Sequence, residues 1–356
     1  MTIETAPIPR PADIDAAWLG DMLTGYGHAF DVTDVAVEPV GTGQLGDTVR
    51  LTIGYGKRAG PPTMIGKFAA SSADSRAIAA SWRLYEREVN FYRKLAARAR
   101  IATARCYGAA LSADGSFALL LADCAPARVG DQFAGIAPNT ARTVMREAAR
   151  LHAAFWGQVE TPEFAWLDTG PLAQPFYVAD VLRGVWPGFK ERYADKLTDD
   201  MVRVCERLAE RYEAYSRLLE RPRCVTHNDF RPDNMLFGSD GQVIVVDWQS
   251  AALGQNAVDV SYLIGGAFTS EDRRAIEGEL LDTYHRELAE QGVRGYSRSD
   301  LAQDYRHFSF AGINVAVGAA MMVNRTERGD RLFLTMLDRH VSHVLDTGAL
   351  AILDER

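Results

Sequence analysis

The sequence predicts an α+β fold with two lobes, an N-terminal antiparallel sheet with a helix and then a larger, mainly helical lobe. Three features carry that expectation. Strand-like runs separated by glycine-rich turns fill the first part, an apolar rhythm of three and four residues follows them, and helical patterns dominate from Pro138 onward. The 356 residues, 47% hydrophobic and 24% charged, suffice for two packed lobes of an ordinary globular protein.

Taken in order, Asp13 to Tyr26 reads as a short helix, and Val35 to Val40, Thr48 to Tyr55 and Thr63 to Ala69 read as strands of a small antiparallel sheet. Across Ser71 to Ala99, residues Ile78, Trp82, Tyr85, Val89, Tyr92 and Leu95 recur at helical spacing, which predicts one long helix on that sheet. Strand-like runs at Ile101 to Ala110 and Phe117 to Ala122 flank the turn Ser112-Ala113-Asp114-Gly115. The character changes near Cys124, so the lobes are drawn as 1–124 and 125–356. Beyond that point Thr140 to Trp156, Thr198 to Leu219, Ser270 to Gln291 and Ser299 to Asn324 read as helices. Only Cys224 to Thr226, Met235 to Phe237 and Val243 to Val246 read there as strands.

A formal charge of -8 and a pI near 5.5 argue against nucleic acid as a partner, because phosphate binding draws on dense Lys and Arg. The nearly apolar run Phe310 to Val323 is broken by Asn314 and is shorter than the roughly 20 residues of a membrane span. It reads as a buried helix. Met1 to Ile14 lacks the apolar core of a secretory signal, and the four cysteines are widely spaced without a C-x-x-C pair. Reduced thiols in the cytoplasm are therefore expected, with no membrane association.

The densest chemistry lies in His227-Asn228-Asp229-Phe230-Arg231-Pro232-Asp233-Asn234, of the form H-x-D-x-x-x-x-N. Asp247 follows Asn234 by 13 positions, at the end of the apolar run Val243 to Val246. This spacing matches a phosphoryl-transfer catalytic loop. Such a reaction needs a carboxylate to take the proton of a hydroxyl nucleophile and hard oxygen ligands for magnesium on a triphosphate. Asp229 is the candidate base, and Asn234 and Asp247 are the candidate metal ligands. Each alone is an ordinary turn or strand-end residue. Their joint spacing selects the catalytic reading. Arg231 lies between base and ligand, where it either meets the transferred phosphoryl group or forms a surface ion pair.

Upstream, Gly41, Gly43 and Gly46 form G-x-G-x-x-G between two strand-like runs, where glycine lets backbone amides approach phosphates closely. A dinucleotide fingerprint requires a helix next, whereas Val49, Leu51 and Ile53 alternate as a strand does. The glycines therefore read as a loop over ATP. Lys67, inside the run Met64 to Ala69, needs an anionic partner if buried and suits the ATP phosphates. Glu88 and Glu86 both lie within reach in sequence, and Glu88 is favoured by its place beside Val89 on the apolar face.

The segments Gly41 to Gly46, Ile65 to Phe68, Tyr85 to Leu95, Gly130 to Gln132, Leu151 to Trp156, His227 to Asn234 and Val246-Asp247-Trp248-Gln249 through Asp259 span most of the chain. Together they resemble the aminoglycoside phosphotransferase and choline kinase group of the protein-kinase-like fold, nearest to its ecdysteroid-kinase-like branch. The resemblance implies an ATP- and Mg2+-dependent small-molecule kinase acting on an alcohol. It also implies that Asp229 is the base, that Asn234 and Asp247 hold magnesium, and that Leu121, Ala122 and Asp123 form a hinge meeting adenine through backbone groups. Asp259 and His227 carry a supporting, structural role under it. Three departures lead away from an aminoglycoside acceptor. Asn228 stands where those enzymes usually have glycine, Trp248-Gln249 replaces Phe-Gly, and Ala122 occupies a hinge position that is often acidic.

Two aromatic-rich regions bear on the acceptor: Phe164, Trp166, Phe176, Tyr177, Trp186, Phe189 and Tyr193, and then Tyr305, Phe308, Phe310, Met321 and Met322. Singly each is a core residue in expectation. Together they favour a hydroxyl on a hydrophobic metabolite over a polycationic antibiotic, with a choline-type acceptor as the alternative through cation–π contacts. A non-catalytic ligand-binding module of the same fold is the remaining alternative. His340 and His343 read as surface histidines.

Overall fold

The computed structural model describes residues 7–41, 45–167, 178–216 and 219–354. Its contacts divide the chain into two units. The first comprises Met1–Ala97, Thr103–Pro126 and Val246–Gln249, and the second Arg98–Ala102, Ala127–Val245 and Ser250–Arg356. Relative to a single cut at 124/125, Ala125, Pro126 and the segment Val246–Gln249 fall in the first unit, and Arg98–Ala102 falls in the second.

The first unit is built on a five-stranded antiparallel sheet of β1 (Val32–Pro39), β2 (Gly46–Tyr55), β3 (Thr63–Ala69), β4 (Cys106–Leu111) and β5 (Phe117–Ala122), in the order β1-β2-β3-β5-β4. Alternation gives its faces different tasks. Val49, Leu51 and Ile53 of β2 and Met64 and Phe68 of β3 are buried against Leu19 and Leu23 of the helix Ala16–Gly25, which Asp15 caps by accepting from Trp18 N. Lys67 falls on the alternate set of β3, opposite Thr48 on β2 and Leu119 on β5.

The expected long helix from Ser71 to Ala99 is broken. It runs as Ala73–Ser81 and Leu84–Asn90, followed by a π-turn over Phe91–Leu95. The break is at Arg83, whose backbone is left-handed (φ 56°) and whose guanidinium grips Glu86 at 2.7 and 2.9 Å. Apolar periodicity persists across such a break, so spacing alone does not reveal it. In the π-turn the Ala96 amide donates to the Phe91 carbonyl, and the Phe91 ring lies flat on Trp248 at 3.7 Å between centroids.

The second unit pairs β6 (Arg128–Val129), β8 (Met235–Phe237) and β9 (Val243–Val245) in the order β6-β8-β9, and separately β7 (Cys224–Thr226) with β10 (Ala252–Gly254). Strand β6, two residues long, is too short to leave a pattern in the sequence, and β10, Ala-Leu-Gly, holds no β-branched or aromatic residue to mark it. Around them pack the helices Pro138–Phe155, Ala179–Arg192, Asp199–Glu210, Ala257–Gly266, Ser270–Glu290, Arg298–His307, Ala311–Met322 and Glu327–Asp346. The single helices expected over Thr198 to Leu219 and Ser299 to Asn324 are each divided, at Arg211 and at the 3-10 turn Phe308–Phe310. Among the described residues no helix is long and apolar enough to cross a membrane, and all four cysteines are free thiols.

His340 and His343 are not surface residues: they are 1% and 0% exposed. They extend the apolar stripe Met336, Leu337, Val341 and Val344 of their helix, and burial pushes both imidazoles far down, His340 to about 3. His307 is likewise buried and lowered to about 4 by desolvation, against the opposing effect of the Tyr215 carbonyl. Each is neutral in the fold and protonates near 6.5 once unfolded, so the unfolded chain binds more protons. Their stabilising contribution is complete above pH ~6.5 and is lost as pH falls toward the folded-state values, about 4 for His307 and about 3 for His340. Urea unfolding between pH 7 and pH 4 should show stability falling with pH, with a shallower fall in His307→Gln; equal slopes in the two proteins would contradict it.

Candidate active site

In the first unit, the central strand β3 presents Lys67 to two carboxylates. Its ammonium lies 2.5 Å from Glu88 Oε1 and 2.9 Å from Asp247 Oδ1. Glu86 is engaged by Arg83 instead. Burial alone would discharge the lysine, but Asp247 and Glu88 outweigh it and hold the ammonium well above its ordinary range. Glu88 is 1% exposed, so removing its cation leaves a buried charge uncompensated. Lys67→Met should cost about 3–5 kcal/mol in urea unfolding, and Lys67→Met with Glu88→Leu should recover most of it. Equal stability of the two variants would show that the pair is not coupled.

Asp247 adopts a left-handed backbone (φ 67°), a conformation in which Asp is favoured among non-glycine residues. Its Oδ2 accepts from Gln249 Nε2 at 3.3 Å, while the next residue, Trp248, is fixed by its stack on Phe91 and by a bond to Thr103 Oγ1 at 3.0 Å. Between β1 and β2, Gly41 takes φ +78°, and Gly46 begins β2 with no room to spare, since a Cβ there would meet the Phe68 carbonyl at 3.2 Å. Gly43 lies outside the described residues. The far end of this loop is tied by the Tyr85 hydroxyl to the Leu45 carbonyl at 2.7 Å. Leu121 and Ala122 end β5, where the Ala122 amide donates to the Arg105 carbonyl. Burial alone would push the Asp123 carboxyl up, but the Arg50 guanidinium at 2.7 Å holds it below its usual range.

In the second unit, the loop from His227 to Asn234 is organised from below by Asp259, which is 0% exposed. Its Oδ2 accepts from the His227 amide at 2.7 Å and from His152 Nε2 at 3.1 Å, and its Oδ1 from the Asn228 amide at 2.7 Å. Asn228 stands at φ +63°, where glycine or asparagine is tolerated. Its side chain adds bonds to Thr226 Oγ1 and the Ser250 carbonyl that a glycine would lack. His227 is buried, and its Nδ1 accepts from the Asp229 amide at 3.2 Å.

Above this support the Asp229 carboxylate meets three donors. Arg231 Nε is at 3.0 Å and the Tyr262 hydroxyl at 2.9 Å from Oδ1, and Asn234 Nδ2 is at 2.7 Å from Oδ2. Asn234 Nδ2 also donates to the Asp229 carbonyl at 2.9 Å, which turns the amide oxygen of Asn234 away from the carboxylate. Arg231 is a largely buried bridge rather than a surface ion pair. It reaches Asp233 Oδ2 at 2.6 Å, and although burial opposes its charge, Asp229 and Asp233 keep it firmly protonated.

Tyr262, His152 and Asp233 were not singled out as site residues by sequence reasoning. Tyr262 had a usable signal, since it lies three residues after Asp259 on one helix and shares its face. Of the aromatic residues taken as acceptor-facing, Phe164, Trp186, Phe189, Tyr193, Tyr305, Phe308 and Phe310 are buried in the core of this unit. Only Trp166, Met321 and Met322 are half-buried, and Phe176 and Tyr177 lie outside the described residues.

An antiparallel sheet bearing a lysine paired to a helical glutamate, and a mainly helical unit carrying an aspartate–asparagine loop, define a protein-kinase-like fold. The chain belongs to the phosphotransferase enzyme family, whose model matches residues 37–299, and the expectation of a phosphotransferase holds. No curated protein shows a significant match to it.

Solved structures share the fold at low identity. A choline kinase from Cryptosporidium parvum Iowa II aligns with a TM-score of 0.54 and 9% identity, covering 88% of this chain and 91% of its own. A microcompartment-associated aminopropanol kinase aligns at 0.52 and 14%, covering 94% and 99%. The gentamicin complex of APH(2")-IIa aligns at 0.51 and 16%, covering 96% and 99%.

Proposed function

We propose that this protein transfers the γ-phosphoryl group of ATP, in the presence of magnesium, to a hydroxyl group of a small molecule. The observation that carries the reading is the Asp229 carboxylate held by three donors beside an oriented Asn234. Asp229 takes the proton of the acceptor hydroxyl as its oxygen bonds to phosphorus. The bond from that phosphorus to the bridging oxygen breaks, and ADP leaves with the electron pair. Lys67, kept charged and braced by Glu88, serves the ATP phosphates. Gly41, Gly43 and Gly46 cover them, and the strand end Leu121 to Asp123 meets adenine. Arg231 steadies the base.

Asn234 and Asp247 would hold magnesium. The donor set suits it, being a carboxylate and an amide oxygen that the hydrogen bonds of Asn234 leave pointing away from Asp229. When bound, the metal supplies neutralisation of charge on the phosphates. His227 and Asp259 act as support.

A small hydroxylated acceptor is also in keeping with the names of the fold relatives, which mention choline, aminopropanol and gentamicin. We place the chain nearest the ecdysteroid-kinase-like branch and its acceptor among hydrophobic alcohols. The apolar preference rests on Trp166, Met321 and Met322, since the other described aromatics are core. The test is phosphate transfer from γ-labelled ATP to a panel of hydrophobic alcohols, choline and aminoglycosides, with and without EDTA. Transfer to the alcohols that EDTA abolishes supports the reading. Transfer to aminoglycosides alone would overturn the acceptor class, and no thermal shift with magnesium-ATP would favour a binding module.

A further inference from the structure

The two oxygens of Asp229 are unequally engaged. Among the described residues, Oδ1 accepts from both Tyr262 and Arg231, whereas Oδ2 accepts from Asn234 alone. A carboxylate offers about two acceptor positions per oxygen. Oδ1 is therefore filled, and Oδ2 keeps one position open.

What holds Tyr262 in place is a second buried ring. Tyr262 is 2% exposed on the helix Ala257–Gly266, and its ring stacks on His340 with centroids 5.5 Å apart at 19°. His340 is seated in a cradle of three glycines. A methyl group added at Gly312 would come 2.0 Å from its Nε2, and one at Gly265 or Gly266 would come 2.7 or 2.9 Å from the ring. Close packing on these sides leaves the imidazole no space to turn beneath the tyrosine ring. Burial and the neighbouring Asp229 also push the Tyr262 phenol far up, so it acts as a neutral donor.

We propose that Tyr262, braced by His340, is a positioning residue that fixes the Asp229 carboxylate so that Oδ2 receives the proton of the acceptor hydroxyl. The proposal rests on the reading of Asp229 as base. In the step itself, the O–H bond of the nucleophile breaks as its oxygen bonds to the γ-phosphorus, and the proton passes to Oδ2. ADP departs with the electrons of the broken P–O bond.

Tyr262→Phe preserves the stack and removes only the donor. Magnesium-dependent ATP hydrolysis without added acceptor should show kcat reduced about tenfold or more, the worth of one hydrogen bond to a charged group. The KM for ATP and the melting temperature should stay at wild-type values. A kcat within twofold of wild type would overturn the proposal, as would a loss shared equally by KM and melting temperature. A second readout needs no turnover. With 3-fluorotyrosine incorporated at position 262, the fluorine resonance should move on Asp229→Ala, and an unmoved resonance would also overturn it. The control separates the two readings: if Asp229→Ala hydrolyses ATP at the wild-type rate, the base assignment fails, whereas an inactive Asp229→Ala beside a fully active Tyr262→Phe removes the positioning role alone.

Discussion

Asp229→Ala should lower kcat for phosphoryl transfer by about 10²–10⁴-fold, the usual worth of a general base, while magnesium-ATP still binds. The second half of that expectation comes from the backbone. Asn234 Nδ2 donates to the Asp229 carbonyl at 2.9 Å as well as to the carboxylate, so truncating the side chain keeps one of the two bonds that orient the amide. Arg231 likewise keeps Asp233. Steady-state kinetics together with calorimetry of magnesium-ATP check both halves. Undiminished transfer would remove Asp229 from the role of base, and lost nucleotide binding would show that the carboxylate, rather than the carbonyl, sets Asn234.

A large effect on stability is also expected at Asp259. Its carboxylate accepts two backbone amides and a histidine nitrogen with no exposure to water. Asp259→Ala leaves those donors buried without an acceptor, a loss of about 3–5 kcal/mol for breaking a charged buried cluster. Asp259→Asn retains a single acceptor oxygen and should fall between the two. Urea unfolding at neutral pH measures the series. A change under about 1 kcal/mol in the alanine variant would mean that the loop is held from elsewhere.

Much of this architecture was legible because it depends on short-range pattern. The alternation in Val49, Leu51 and Ile53 marks a strand directly, and the spacing from His227 to Asn234 is set by one loop whose backbone turns are local. Asn228 could be identified as unusual, and its φ of +63° gives the reason: the position demands a left-handed residue, and asparagine meets that demand with added side-chain bonds. What stayed hidden are properties of three-dimensional neighbours. The break at Arg83 leaves the apolar rhythm intact. His340 and His343 look polar in one dimension and are buried because glycines on two other helices make room for an imidazole. The aromatic runs misled for the same reason, since composition does not say which side of a helix faces the core.

Trp248 lies flat on Phe91, and Asp247 beside it reaches Lys67, yet the segment Val246–Gln249 is separated in the chain from every other part of the first unit by more than a hundred residues. During synthesis, the sheet and its helices emerge long before these residues do. Until they arrive the nascent unit has an uncovered aromatic ring and an ammonium with one carboxylate instead of two. The first unit therefore finishes folding only when about half of the second has left the ribosome, and a fragment stopped at Pro126 should be less protected against protease than the same residues within the whole chain.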